Sequence, residues 1–453
     1  MPEIKEIPDL KELERISVHS HIQGLGLKDG KALFAADGMI GQEEAREAAG
    51  ILVKLIKEGK FAGRAVLFAG PPGTGKTALA LAISKELGKD VPFVPLTASE
   101  IYSVEMKKTE FLTQTLRKAI GVRIREIRKV YEGTIRHIDI KTQPHPYNPY
   151  QQIPSSAVIT LATDKEEKKL SMDQDFALQF LQQGITEGDV VQIDVEGIRV
   201  VKLGKSEEYA KKEKLDLSAT KLIPTPTGNV FRNREFVYTL SLHQMDMINA
   251  RQASGDLFSL FFGGREKEID SEMRAAIDEN VRDMVKEGKA EILPGVVFID
   301  ECSMLDIETF AFLNRAMEQD LAPIIIFATN RGITEIRGTT IKEAHGMPLD
   351  LLDRTLIINT KKYSSEAIKY IIKERAKAEK IELDDKAINF LTELGTKTSL
   401  RHAIQLIAPA YEIAKETKKK RITEADVKKA SELFVDVKQS VAYLQELEKE
   451  MLR

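Results

Sequence analysis

The chain has 453 residues, 42% hydrophobic and 30% charged, which is too long for one core and fits two to four soluble domains. Its 67 basic and 70 acidic residues net −3, so no overall basic field advertises nucleic acid, although a local basic surface stays open. One cysteine, Cys302, excludes an intrachain disulfide, and the longest apolar runs, such as PIIIFA, fall far short of a membrane span.

The opening MPEIKEIPDLKELERIS is charged and lacks the apolar stretch of a secretory signal, so a cytoplasmic location is expected, nuclear as well in a eukaryotic source. Residues 1–36 are polar, and HSHIQGLGL reads as an ordered loop; His19 and His21 have nothing else near them at metal-ligand spacing. GMIGQEEAREAAGILVKLIKEGK predicts a helix with Ala45, Ala48, Ile51, Leu52 and Leu55 on its apolar face. A short strand, AVLFAG, enters a glycine loop, and TALALAISKELG predicts the following helix, closed at Gly88. PFVPLTA reads as a second strand and SEIYSVEMKKTEFLTQTLRKAIG as one helix opened by Ser99. Strands alternating with helices predict a parallel α/β sheet.

The texture then changes. Residues 122–240 alternate with period two in VRIREIRKV, GTIRHIDI, SAVITLAT and FVYTLSL, and VVQIDV–EG–IRVVKL predicts a hairpin turning at Glu196-Gly197. These runs predict an all-β module, plausibly a small barrel. Residues 241–290 return to helix, and from Gly295 the α/β pattern resumes in GVVFIDE and APIIIFATN. After Tyr363 the pattern is helical, including SLRHAIQLIAPAYEIAKETKKK as one helix. The expected organisation is a core of 1–121 with 291–360, an inserted domain of 122–290, and helices over 361–453.

The chemistry is concentrated in GPPGTGKT, that is Gly70, Pro71, Pro72, Gly73, Thr74, Gly75, Lys76 and Thr77. Successive backbone N–H groups can wrap a phosphate only where glycines remove the Cβ clash. The helix N-terminus behind the loop favours an anion. Lys76 then reaches the β- and γ-phosphates of ATP, and the Thr77 hydroxyl ligates Mg²⁺. GVVFIDE ends a strand in two acids: Asp300 is placed to hold the metal opposite Thr77, and Glu301 to orient the attacking water. Asn330, ending APIIIFATN, is either a water-binding amide or an ordinary turn residue. Arg354 in PLDLLDR is either a surface partner of Asp353 or an arginine finger lent to a neighbour. Arg401 in SLRHA either touches the γ-phosphate or is solvated, and Cys302 reads as a buried structural thiol.

The order GMIGQ, GPPGTGKT, FIDE, ATN, LLDR, SLRHA resembles the AAA+ ATPases. SHIQGLGL, SEIYSVEMKKTE, ECSMLDIETF, ATNRG, IRGT, HGMPLDLLDR and TSLRHAIQLI narrow this to the RuvB-like (TIP49, pontin and reptin) family, over essentially the whole chain. The resemblance implies an AAA+ core, an OB-fold-like insertion and a C-terminal helical lid. It also implies homohexamers, stacked dodecamers or rings mixed with a paralogue. By that resemblance Asn330 is the first sensor, Arg354 the trans-acting finger and Arg401 the second sensor. The base pocket draws on His21, Ile22, Met39, Ile40, Gly41, Tyr363, Ile371 and Leu400. Many members carry Val-His where this chain has Cys302-Ser303. Three functions remain open: ATP-driven remodelling of protein complexes, a helicase whose insertion binds single- or double-stranded DNA, and a slow, nucleotide-stabilised scaffold.

Overall fold

Five short runs pair as a parallel sheet in the order Thr355–Asn359, Ala65–Ala69, Ile324–Thr329, Val296–Asp300, Phe93–Thr97. The computed structural model in which they lie describes residues 21–103, 106–145, 148–213, 222–254, 269–417, 419, 421–436 and 440–441. His19 is outside the described residues. Ala65–Ala69 and Ile324–Thr329 are buried at every position, as strands covered on both faces must be. Pleating sends alternate residues to opposite sides. Leu67, Val297, Ile299, Ile325 and Phe327 join one apolar cluster with helices Lys108–Lys118 and Ile307–Met317. Val66, Phe68, Val296, Phe298 and Ile326 join another with helices Glu43–Lys57 and Lys76–Leu87.

Several local expectations are corrected. Helix Glu43–Lys57 forms, but its buried face carries Ala45, Ala49, Leu52 and Val53, and Ile51 is 62% exposed. The face is rotated because it also buries Arg46, whose guanidinium is bonded to main-chain carbonyls. The single helix expected from Ser99 is two, Glu100–Ser103 and Lys108–Lys118, since Lys107 is extended at the second N-terminus. The expected helix over SLRHAIQLIAPAYEIAKETKKK is also two, Leu400–Gln405 and Ile407–Glu416. Pro409 has no N–H to donate to the Gln405 carbonyl, so it sits in a first turn, where that loss is tolerated.

The chain divides into two compact units, one of residues 1–122, 240–283 and 292–453, the other of 123–239 with 284–291. Residues 240–283, expected in the insertion, thus cluster with the first unit. A buried ion network accounts for this: Arg117 donates to both oxygens of Asp246 at 2.5 and 2.6 Å and to Asp278 at 2.8 Å, while Arg274 clasps Glu110. Buried charges are costly unless paired or hydrogen-bonded, and here each guanidinium meets a carboxylate.

The second unit is an eight-stranded sheet ordered Leu222–Ile223, Arg199–Ser206, Asp189–Asp194, Ile120–His145, Asn148–Ala162, Glu167–Met172, with Phe231–Ser241 and Ala290–Pro294 also pairing Ile120–His145. VRIREIRKV and GTIRHIDI are therefore one strand. The predicted hairpin forms with Asp194 opposite Arg199, and its left-handed residue is Ile198 at φ 46°. Gly197 instead donates its N–H to Asp194 Oδ1 at 3.0 Å. Ile135, Ile159, Leu161, Phe180, Val191 and Ile193 make its core.

In the first unit the C-terminal helices Ser365–Ala378, Asp385–Lys397, Leu400–Gln405, Ile407–Glu416 and Glu424–Leu433 share a core of Ile368, Ile372, Leu391, Leu406, Ile407 and Val427. Ser364, Asp384 and Ser399 cap three of them, and Thr423 with Asp426 closes a capping box on the last.

Candidate nucleotide-binding site

The register of the parallel sheet decides where the polar motifs meet. Ala69 stands opposite both Thr329 and Asn359, and Asp300 opposite Thr97, so Gly70, Asn330, Thr360 and Glu301 all leave the carboxyl edge. That edge is where open α/β sheets bind ligands. The strand Ile324–Thr329 lies between the strand of the glycine loop and the strand of the acids, which puts Asn330 between Gly70 and Asp300 along the edge.

The loop is shaped by its glycines. A Cβ at Gly70 would come 2.2 Å from Thr360 Oγ1, so only glycine lets the strand end pass that side chain. Gly75 takes the left-handed conformation at φ 83° as the N-cap of helix Lys76–Leu87. The Thr74 hydroxyl is 2.9 Å from the Pro71 carbonyl and 2.6 Å from the Thr360 hydroxyl. Lys76 Nζ donates to the carbonyls of Gly70 and Pro71 at 3.0 and 2.8 Å. Burial lowers the Lys76 pKa and the Arg401 guanidinium lowers it further, against the pull of Asp300.

Asp300 ends its strand and accepts the Glu301 N–H at 2.9 Å. Glu301 adopts φ 55°, uncommon for a residue with a side chain, at the start of the turn Cys302–Met304. Cys302 is fully buried, 3.8 Å from Met347 Sδ, and burial pushes its thiol far up, so it is a packing residue as expected.

These groups open onto a cleft of about 640 Å³. Its lining includes Pro72, Gly73, Thr74, Gly75, Lys76, Thr77, Asp300, Glu301, Asn330 and Arg401 of the expected phosphate machinery. It also includes His21, Ile22, Met39, Ile40, Tyr363, Ile371 and Leu400 of the expected base pocket. Gly70 and Pro71 lie behind it as acceptors of Lys76, and Gly41 packs against Tyr363, where a Cβ would stand 3.3 Å from the ring. Burial pushes the Tyr363 phenol up to about 12, with Arg46 and Gln42 pulling the other way, so it is neutral at physiological pH. Partial desolvation and then Arg375 lower the His21 pKa, outweighing Glu374.

Arg354 is not among the lining residues. It pairs with Glu318, not with Asp353, on an exposed surface. Conversely, Gly38, Glu374, Arg375, Glu379, Ile404 and Gln405 line the cleft without having been expected. Helical spacing could have found half of them: Glu374 and Arg375 follow Ile371 by three and four, and Ile404 follows Leu400 by four. The Thr77 hydroxyl and the Asp300 carboxylate on one wall are hard oxygen donors, a set that fits Mg²⁺ alongside phosphate oxygens.

The arginines of RIREIRK and FRNRE, two basic stretches of the inserted unit, face carboxylates. Arg128 bonds Asp194 at 2.9 Å and Glu126 at 2.7 Å, and Arg232 and Arg234 face Glu132. The Tyr238 hydroxyl donates to Glu126.

Two family models match the chain: the TIP49 P-loop domain over residues 15–366 and the TIP49 AAA-lid domain over 371–436. A RuvB-like helicase 1 of Drosophila pseudoobscura pseudoobscura is 44% identical over 449 residues, 98% of each chain. RuvB-like protein 1 of Arabidopsis thaliana is 43% identical over 448 residues, 98% of this chain and 97% of its own. RuvB-like helicase 1 of Aedes aegypti is 43% identical over 449 residues, again 98% of each.

Proposed function

Because the chain belongs to the RuvB-like, or TIP49, family of AAA+ ATPases, we propose that it spends ATP on the assembly or remodelling of protein complexes, each site being completed by a neighbouring subunit of a ring. ATP is the substrate. The observation that carries the reading is the convergence of Gly73–Thr77, Asp300, Glu301, Asn330 and the lid residue Arg401 on one cleft from separate strand ends.

The backbone amides of the loop and the N-terminus of helix Lys76–Leu87 receive the phosphates. Lys76 turns from the Gly70 and Pro71 carbonyls to the β- and γ-oxygens. Thr77 and Asp300 would hold Mg²⁺, which would supply positive charge to offset that of the phosphate oxygens. Glu301 accepts a hydrogen bond from the attacking water and turns its lone pair toward the γ-phosphorus, and the Asn330 amide fixes the same water. Arg401 binds the γ-phosphate from the lid, so loss of that phosphate releases a contact between lid and core. Arg354, on the surface with Glu318, is the guanidinium one subunit lends to the next; closed cyclic symmetry then serves every site, as a hexamer or a stacked pair of hexamers. The names of the insect relatives include helicase, but Arg128, Arg232 and Arg234 of this chain's inserted unit face carboxylates, so unwinding is not part of the proposal.

Glu301→Gln is expected to keep ATP binding and to lose about a hundred- to ten-thousandfold in turnover. Normal turnover in that variant refutes the assignment. Mixed rings of Arg354→Ala and Lys76→Ala subunits recover activity that neither variant has alone if the arginine acts across the interface. No recovery at any ratio removes the finger.

A further inference from the structure

Among the described residues of the first unit, Arg46 is the largest fully buried charged side chain, at 0% exposure, and none of their carboxylates is bonded to it. Its Nε donates to the Leu25 carbonyl at 2.7 Å, Nη2 to Gly26 at 2.9 Å, and Nη1 to both Leu33 at 2.6 Å and Gly41 at 3.1 Å. Four carbonyls, spread over seventeen residues of a segment with only two-residue strands, converge on one planar fork. Gly26 is held so close that a Cβ would lie 2.4 Å from Nη2.

The same segment supplies His21, Ile22, Gly38, Met39 and Ile40 to the cleft. Gly41, whose carbonyl Arg46 binds, abuts the Tyr363 ring. We infer that Arg46 is a positioning residue for nucleotide binding: its guanidinium holds residues 21–41 as a rigid wall against the nucleoside, without touching the nucleotide itself. This rests on the nucleotide reading above. The wall has too little regular structure to hold its shape through its own backbone bonds, and an anchor in its interior fixes it before the ligand arrives. Lysine is not a substitute, since a point charge with three rotating donors does not reproduce a planar fork aimed at four acceptors.

The test compares ATP with inorganic tripolyphosphate, both with magnesium, by calorimetry on the full chain. Wild type binding neither refutes the nucleotide reading itself and leaves Arg46 nothing to position. With that reading intact, Arg46→Lys is expected to weaken ATP by about tenfold or more while tripolyphosphate, which never meets the wall, keeps its affinity. In turnover assays KM rises far more than kcat falls. Equal weakening of both ligands, or of neither, overturns the proposal. Gly26→Ala, which presses on the clamp from the opposite side, must move the same ratio in the same direction. Should both variants fail to fold, Arg46 is a folding residue and the proposal is lost.

Discussion

The two ends of the cleft are built by different means. The phosphate end is a contiguous loop, Gly70–Thr77, three residues that leave neighbouring strands at one edge, and Arg401 from a C-terminal helix, so a few local rules place every group but the last. The nucleoside end is gathered from three distant stretches: the segment around His21–Gly41, the helix carrying Ile371 and Arg375, and the helix carrying Leu400 and Ile404. One end recognises charge with main-chain geometry. The other recognises shape with side chains that must be braced from behind. Backbone-built sites depend on a handful of special dihedrals, whereas packed sites depend on everything that holds their walls.

If that contrast is right, the ends separate by ligand. Lys76→Ala is expected to weaken ATP and tripolyphosphate alike, by about a hundredfold, because a charge-assisted contact to phosphate is lost from both. Ile371→Ala is expected to weaken ATP alone, by about tenfold at most, the worth of a few apolar carbons. Calorimetry with both ligands decides; an Ile371 variant that loses tripolyphosphate as well breaks the comparison. Smaller still is Thr360→Val, which removes the hydroxyl 2.6 Å from Thr74 yet leaves Thr74 its bond to Pro71. It should cost about 1 kcal/mol in denaturant unfolding. A change well above that means the loop leans on Thr360 more heavily than the geometry says.

The same contrast explains what could be read from the amino acids. Glycines at 73 and 75 and the lysine behind them are dictated by left-handed turns and by the approach of an anion, and such local demands leave a fixed spacing. The apolar runs of the parallel sheet were equally legible, since strands covered on both sides must be continuous. Arg46 was not: in a periodic helix a basic residue reads as solvent-facing, and only the fold shows the carbonyls waiting for it. Nor was the Arg117–Asp246–Arg274–Glu110 network, whose Arg117–Asp246 and Arg274–Glu110 pairs join residues 129 and 164 positions apart and carry no local pattern. Glu374 and Arg375 fell between these cases. Their helix was predicted, but which of its faces meets the cleft is decided by docking.

Thr360 follows directly on the edge strand Thr355–Asn359, donates its N–H to Ala69 at 2.8 Å, and is followed by Lys361, whose backbone meets the Gln42 side chain in both directions. Thr360 and Lys361 form the connection from the sheet to the C-terminal helices. Its bearing surfaces are the glycine loop on one side and the start of helix Glu43–Lys57 on the other. Any displacement of the C-terminal helices against the sheet would therefore pass through a joint bonded to the glycine loop itself.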